Sequence, residues 1–218
     1  MKIIKIDQHK PDPAVVAETA ELLKSGAVIA FPTDTFYGLG ADISNKGAVR
    51  RIYSIKGRGY NKPILILISD RKELVSLISN KDLPTTACSL MDSFWPGPLT
   101  IVFYATESLS ALLTASTWKI GIRLPDHEFC RKLIEKLEGP ITATSANVSG
   151  EPSLNNPDDV LNAIGDRIDV LVDGGITKGG LESTVVDVTG DKPVILREGA
   201  ISSVDIRTVI NQRLKIKM

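Results

Sequence analysis

Six cations stand in or beside short apolar runs of this chain: Lys56, Arg58, Lys62, Lys119, Arg123 and Arg197. Hydroxyl and amide side chains stand near them. Thr33 and Thr35 follow the run 27–31, and Thr144, Ser145, Asn147, Ser149 and Ser153 follow the run 140–143. Cations combined with hydroxyl and backbone donors make the donor set that holds a strongly anionic ligand such as a triphosphate. Lys56, Arg58 and Lys62 fall within seven residues on a glycine-bearing loop. A solvated basic loop would carry the same residues, so that stretch is evenly balanced between the two readings. Arg123 is different. IGIRLP places it inside an apolar strand, where a buried guanidinium needs a carboxylate or phosphate partner.

Other chemistries have little to work with. No nucleophile–base pair stands out. Cys88 and Cys130 fall in helix-core positions, and His127 reads as a surface or packing residue after a helix cap. With only His9 and His127, no zinc-ligand spacing exists. The loop DGGITKGG lacks the Lys-Ser/Thr ending of a phosphate-binding loop. Asp34, Asp42 and Asp173 could hold a metal or orient a substrate, and caps or turns explain them equally well. Reactions that run on positioning and charge neutralisation, such as nucleotidyl transfer, need cations and Mg2+ more than a strong base.

The elements that must position these residues alternate. Asp12 and Pro13 open a helix that stops near Gly26, and strand 27–31 ends at Pro32. Asn45 caps a second helix. The continuous apolar run 63–69 reads as a strand buried on both faces. Asp70 caps a helix through Ile78, and another covers about 83–94, ending at the breaker cluster Trp95-Pro96-Gly97-Pro98. Strands follow at 99–104 and 120–124, with 105–118 unassigned. Asp126 caps a helix over 127–137, and strand 140–143 runs into the hydroxyl-rich loop. Asn156 and Pro157 start a helix to about 164. Strands at 170–172, 184–188 and 194–197 precede a final helix from Ser203. This pattern predicts a single α/β domain over 1–218, with ligands beyond strand ends.

The totals narrow the function classes. The net charge is zero, which disfavours a dedicated nucleic-acid binder with a basic face. Two distant cysteines suggest a reducing compartment. The N-terminus is broken by Lys5 and Asp7, and no window holds about 18 consecutive apolar residues. The expectation is a cytoplasmic protein with no membrane contact.

Six segments in order carry a further signal: FPTDTFYGLGAD, the KGR…KP loop, FWPGPLT, IGIRLP, PITATSANVSGEPS and LESTVVD…ILREG. Together they resemble the YrdC-like threonylcarbamoyl-AMP synthases over about 12–200. The resemblance implies a twisted open mixed β-sheet with flanking helices and a deep basic cavity. It implies a nucleotidyltransferase that makes threonylcarbamoyl-adenylate from L-threonine, bicarbonate and ATP with Mg2+, releasing pyrophosphate. A downstream tRNA threonylcarbamoyl transferase would use the product for the N6-threonylcarbamoyladenosine modification, with tRNA itself a candidate contact. Carried over by residue, Thr35, Leu67, Arg123, Ala143 and Ser183 would hold threonine. Arg58, Lys62, Lys119, Ser145, Asn147, Ser153 and Arg197 would hold ATP, and Lys56 and Arg58 would be catalytic. Gly59 departs from the family, which often has proline there, so a more mobile loop is expected. The chain's length suggests the single-domain form. The alternative is a non-enzymatic module that binds double-stranded RNA or tRNA in the same cavity. A domain handling another carbamoyl-adenylate, as in hydrogenase maturation, is disfavoured by the lack of zinc-finger and acylphosphatase-like segments.

Overall fold

The computed structural model describes residues 1–80 and 83–216. In chain order the elements are β1 (Lys2–Lys5), α1 (Pro13–Lys24), β2 (Ile29–Phe31), β3 (Gly38–Gly40), α2 (Lys46–Lys56) and β4 (Ile66–Leu67). A 3-10 turn (Arg71–Glu73), α3 (Leu74–Leu77), α4 (Thr85–Phe94), β5 (Leu99–Tyr104), α5 (Ala111–Thr114) and β6 (Lys119–Arg123) follow. The chain continues with α6 (Glu128–Leu137), β7 (Ile141–Thr142), β8 (Thr144–Ser145) and α7 (Pro157–Ile164). It closes with β9 (Val170–Asp173), β10 (Thr184–Asp187), β11 (Val194–Arg197) and α8 (Ser203–Ile216).

The mixed α/β architecture with flanking helices is as expected, and its strands are divided between two sheets. One runs β1-β9-β2-β3-β8 and the other β11-β10-β5-β6-β4-β7. The segment 141–145 joins them: Ile141 and Thr142 pair with β4, while Thr144 and Ser145 pair with β3. Ala143 lies between, its N–H donating to Leu65 O at 2.9 Å. Thr142 locks the crossing, since its Oγ1 accepts from Ala41 N at 2.9 Å.

Burial explains the apolar runs. Val28 and Ala30 belong to one core, and Ile29 and Phe31 to another. Alternate side chains of β2 thus fill cores on both faces, as a covered strand requires. The run 63–69 behaves likewise, with Ile64, Ile66 and Ile68 in one core and Leu67 in the other. Only Ile66 and Leu67 of this run pair in ladders, with β6 on one side and β7 on the other. The strand at β3 carries no apolar period beyond Leu39 and was not expected. Its glycines let Phe31 lie flat across it: a Cβ on Gly40 would stand 2.6 Å from the Phe31 ring.

Caps follow the expected chemistry at most helices. Asp12, Asn45 and Asn156 each accept a backbone N–H of the first turn. Asp70 and Glu73 form a capping box, but the helix they open begins as a 3-10 turn. At α6 the cap is His127 rather than Asp126. Its Nδ1 accepts from Cys130 N at 3.4 Å. His127 is therefore buried as an acceptor at a helix start, not a surface residue. Among the described residues, no helix is long and apolar enough to cross a membrane.

Candidate functional site

A cavity of about 650 Å³ opens between the two sheets. All of the sequence-derived site residues line it: Thr35, Lys56, Arg58, Lys62, Leu67, Lys119, Arg123, Ala143, Ser145, Asn147, Ser153, Ser183 and Arg197. They come from four strands (β4, β6, β8 and β11), the last residue of α2 and the loops between elements, and the crossing at Ala143 brings the two sets together.

One end is built on β6. Arg123 is 5% exposed, and its Nη2 lies 2.5 Å from Asp34 Oδ1. Its Nε donates to Gly97 O at 3.0 Å, and Nη1 reaches Thr35 Oγ1 at 3.4 Å. The partner a buried guanidinium requires is thus Asp34, which the sequence offered only as a metal ligand, orienter or turn residue. Thr35 is fixed from several sides. Its hydroxyl lies 3.1 Å from that of Thr33. Its carbonyl accepts from Gly179 N at 2.7 Å and Thr177 Oγ1 at 2.9 Å. The glycine-rich loop that follows β9 therefore braces Thr35. Ser183 closes this end, with Oγ 3.0 Å from Thr100 Oγ1 and 3.1 Å from Arg197 Nη2.

The other end is built on the C-terminus of α2. Lys56 is 2% exposed. Its Nζ donates to Asn147 O at 2.8 Å, to Asn147 Oδ1 at 2.7 Å and to Ser145 O. Burial, then the neighbouring Arg58, pushes its ammonium down from the usual 10.5 to about 8, with Glu182 acting the other way. It remains charged at neutral pH, and all three N–H groups are used. Asn147 is equally committed: its Nδ2 donates to Glu151 O at 2.6 Å and Pro152 O at 2.9 Å, and its Oδ1 accepts from Ser145 Oγ at 2.7 Å. Lys56 and Asn147 thereby set the shape of the 145–153 loop. Arg58 folds back on its own loop, donating to Lys62 O at 3.2 Å and Pro63 O at 2.7 Å. Lys62 N donates to Gly59 O at 3.1 Å, which closes the turn.

Two carboxylates line the wall that sequence reasoning passed over. Asp187 pairs with Lys119 at 2.9 Å. Burial would raise its carboxyl, but hydrogen bonds from Thr189 and Lys119 hold it below the usual range. Glu182 accepts from both Ser153 Oγ and Arg197 Nη1, joining the hydroxyl loop to β11. A signal was present: Val185 and Asp187 alternate along β10 in phase with Ser183 just before it, and all three line the cavity. Cys130 sits apart from this chemistry, fully buried with Sγ directed at Pro32 O, 3.2 Å away. Burial pushes its thiol well above the ordinary value.

Known proteins share this fold and much of this sequence. The family model Sua5_yciO_yrdC, described as telomere recombination, matches residues 21–199. A threonylcarbamoyl-AMP synthase of Pyrococcus abyssi is 40% identical over 193 residues, covering 88% of this chain and 56% of that protein. One from Bacillus subtilis is 40% identical over 205 residues, covering 94% of this chain and 59% of that protein. The chain therefore spans little more than half the length of these curated relatives. The structure of P. abyssi Sua5 complexed with L-threonine superposes with a TM-score of 0.91 at 38% identity, over 96% of this chain and 61% of that one. Escherichia coli YciO superposes with a TM-score of 0.85 at 28% identity, over 94% of this chain and 99% of that one. With its six segments assembled around one cavity and matched along most of its length, the chain belongs to the Sua5/YciO/YrdC family.

Proposed function

We propose that this protein is an L-threonylcarbamoyladenylate synthase, a nucleotidyltransferase acting on L-threonine, bicarbonate and ATP. The observation that carries the reading is a single cavity with two unlike ends: a buried, oriented guanidinium among hydroxyls at Arg123, and a cluster of cations around Lys56 and Arg58. A small amino acid suits the first end and a nucleotide triphosphate the second. The same activity is named for relatives at 40% identity.

In this scheme the threonine carboxylate sits on Arg123, with Thr35, Ser183, Leu67 and Ala143 shaping its surroundings. Its neutral amine attacks bicarbonate to form a carbamate and water. A carbamate oxygen then attacks the α-phosphate of ATP, and the bond to pyrophosphate breaks. Arg58, Lys62, Lys119 and Arg197 stabilise charge on the phosphates, and Ser145 and Ser153 donate to phosphate or ribose oxygens. Lys56 acts through its charge and through the 145–153 loop it holds. Mg2+ would arrive with ATP and neutralise phosphate oxygens. Glu182 and Asp187 fit that arrangement, because Mg2+ commonly takes one or two carboxylates together with phosphates. The adenylate would pass to a tRNA threonylcarbamoyl transferase in the cytoplasm.

The test is pyrophosphate release by purified protein with ATP, Mg2+ and bicarbonate, with and without L-threonine. Threonine-dependent release is expected. Its absence refutes the proposal, and a salt-sensitive RNA affinity in its place favours an RNA-binding module.

A further inference from the structure

Two anionic substrates sharing one cavity raise a question of sorting. A triphosphate carries more charge than a carboxylate, and a buried cation attracts it more strongly than an exposed one. Arg123 is the most deeply buried arginine on the cavity wall. Unscreened, it would draw phosphate into the amino-acid end.

We propose that Asp34 prevents this: by neutralising Arg123 from behind, it reserves that guanidinium for a carboxylate and leaves phosphates to the cations at the end of α2. The inference rests on the two-substrate reading above. Asp34 and Arg123 side chains are 12% and 7% exposed, and their closest atoms are 2.5 Å apart. The turn gives Thr33, Thr35 and Phe36 to the cavity wall, with Asp34 behind them. The guanidinium has five N–H groups in a planar fork. Contacts to Gly97 O, Asp34 and Thr35 occupy three. Two remain for a ligand, and a fork matches a planar carboxylate in shape whether or not its charge is compensated.

The other cations differ in this respect. Among the described residues, the recorded acceptors of Lys56 and Arg58 are uncharged carbonyl, amide and hydroxyl oxygens. Among the same residues neither makes an ion pair with a carboxylate, and Glu182 acts on Lys56 only as the smallest of three influences, behind burial and Arg58. Lys119 and Arg197 have carboxylate partners, but these cations are 37% and 43% exposed. Pairs so screened by water are weak and exchange easily for a phosphate. The cavity thus presents net positive charge at one end and a charge-neutral fork at the other. A phosphate at Arg123 would meet Asp34 as a nearby like charge, whereas an amino acid brings a single carboxylate and is itself close to neutral.

Asp34→Asn is the test, since the amide keeps an oxygen for Nη2 and removes the charge. The arginine guanidinium signals of the full chain are followed by ¹⁵N NMR, with Arg123→Lys and Arg58→Lys identifying their peaks. Wild-type protein is titrated with L-threonine, acetate and inorganic phosphate. The Arg123 signal is expected to move with the carboxylates, while phosphate moves Arg58 and leaves Arg123 unchanged. In Asp34→Asn, phosphate should move the Arg123 signal over the same concentration range that moves Arg58. Unchanged phosphate response in the variant overturns the proposal. If the variant does not fold, the wild-type titration decides alone: an Arg123 signal that tracks phosphate together with Arg58 overturns the sorting. An Arg123 that takes acetate but not L-threonine refutes the threonine reading and leaves the sorting in place.

Discussion

Lys56 gives the most discriminating prediction, because its position opposes two large effects. Burial lowers its ammonium from the usual 10.5 to about 8. At about 1.4 kcal/mol for each factor of ten in proton affinity, keeping it charged in the folded state costs about 3 kcal/mol. Replacing it with methionine removes that cost. The same change takes the ammonium from three acceptors: Ser145 O keeps Asn147 N and Asn147 Oδ1 keeps Ser145 Oγ, while Asn147 O loses its lysine partner. At about 1 kcal/mol each, the losses roughly cancel the gain. Stability of Lys56→Met near neutral pH should therefore lie within about 2 kcal/mol of wild type and decides little. The pH dependence decides more. Between pH 8 and 10.5 the unfolded chain keeps a proton that the folded chain has released, so wild-type stability rises with pH across that window. Below pH 8 both states hold the proton and the full penalty stands. Urea unfolding of both proteins at about pH 7.5 and about pH 10 should show wild type gaining roughly 2 to 3 kcal/mol relative to Lys56→Met. Titrating tyrosines contribute to both proteins and drop out of the difference. A difference that stays flat across the window refutes the account of Lys56 as a buried ammonium held in a desolvated site.

Arg123→Lys keeps the charge but loses the fork, so the KM for L-threonine should rise about tenfold or more while that for ATP changes by less than about twofold; equal effects on both substrates contradict the placement of threonine at this end. His127 is pushed down from 6.5 to about 4 by burial, ahead of the opposing Asp34 charge. As pH falls through 6.5 the unfolded chain takes a proton the folded chain refuses, so stability should drop by about 2 kcal/mol between about pH 7 and pH 5, and His127→Gln should remove that slope in urea unfolding. In Gly40→Ala the new Cβ would meet the Phe31 ring at 2.6 Å and Thr142 O at 2.9 Å. Unfolding midpoints should show a loss of about 1–3 kcal/mol; an unchanged midpoint would mean that β3 and the crossing can separate freely.

Local chemistry was legible in the sequence. Asp12, Asn45 and Asn156 cap helices because a short side-chain oxygen can reach the first-turn N–H groups within its own few residues. β2 and the run 63–69 showed their double burial in unbroken apolar residues, and Arg123 announced a need for an anionic partner by standing among them. The six segments also sufficed to indicate the family. What the sequence left open were relations between distant residues. Nothing local tells that Thr142 and Thr144 belong to different sheets, since a crossing is defined by what each strand pairs with. Nothing near Arg123 names Asp34, 89 residues away. The counter-charges Glu182 and Asp187 were hidden for the same reason, as was the choice of His127 over Asp126 at α6, which depends on which side chain the fold turns inward. Composition and local pattern settled which residues could do chemistry. The tertiary structure decided which of them stand neutralised and which stand free, because electrostatic pairing depends on distance in space and on burial rather than on separation along the chain.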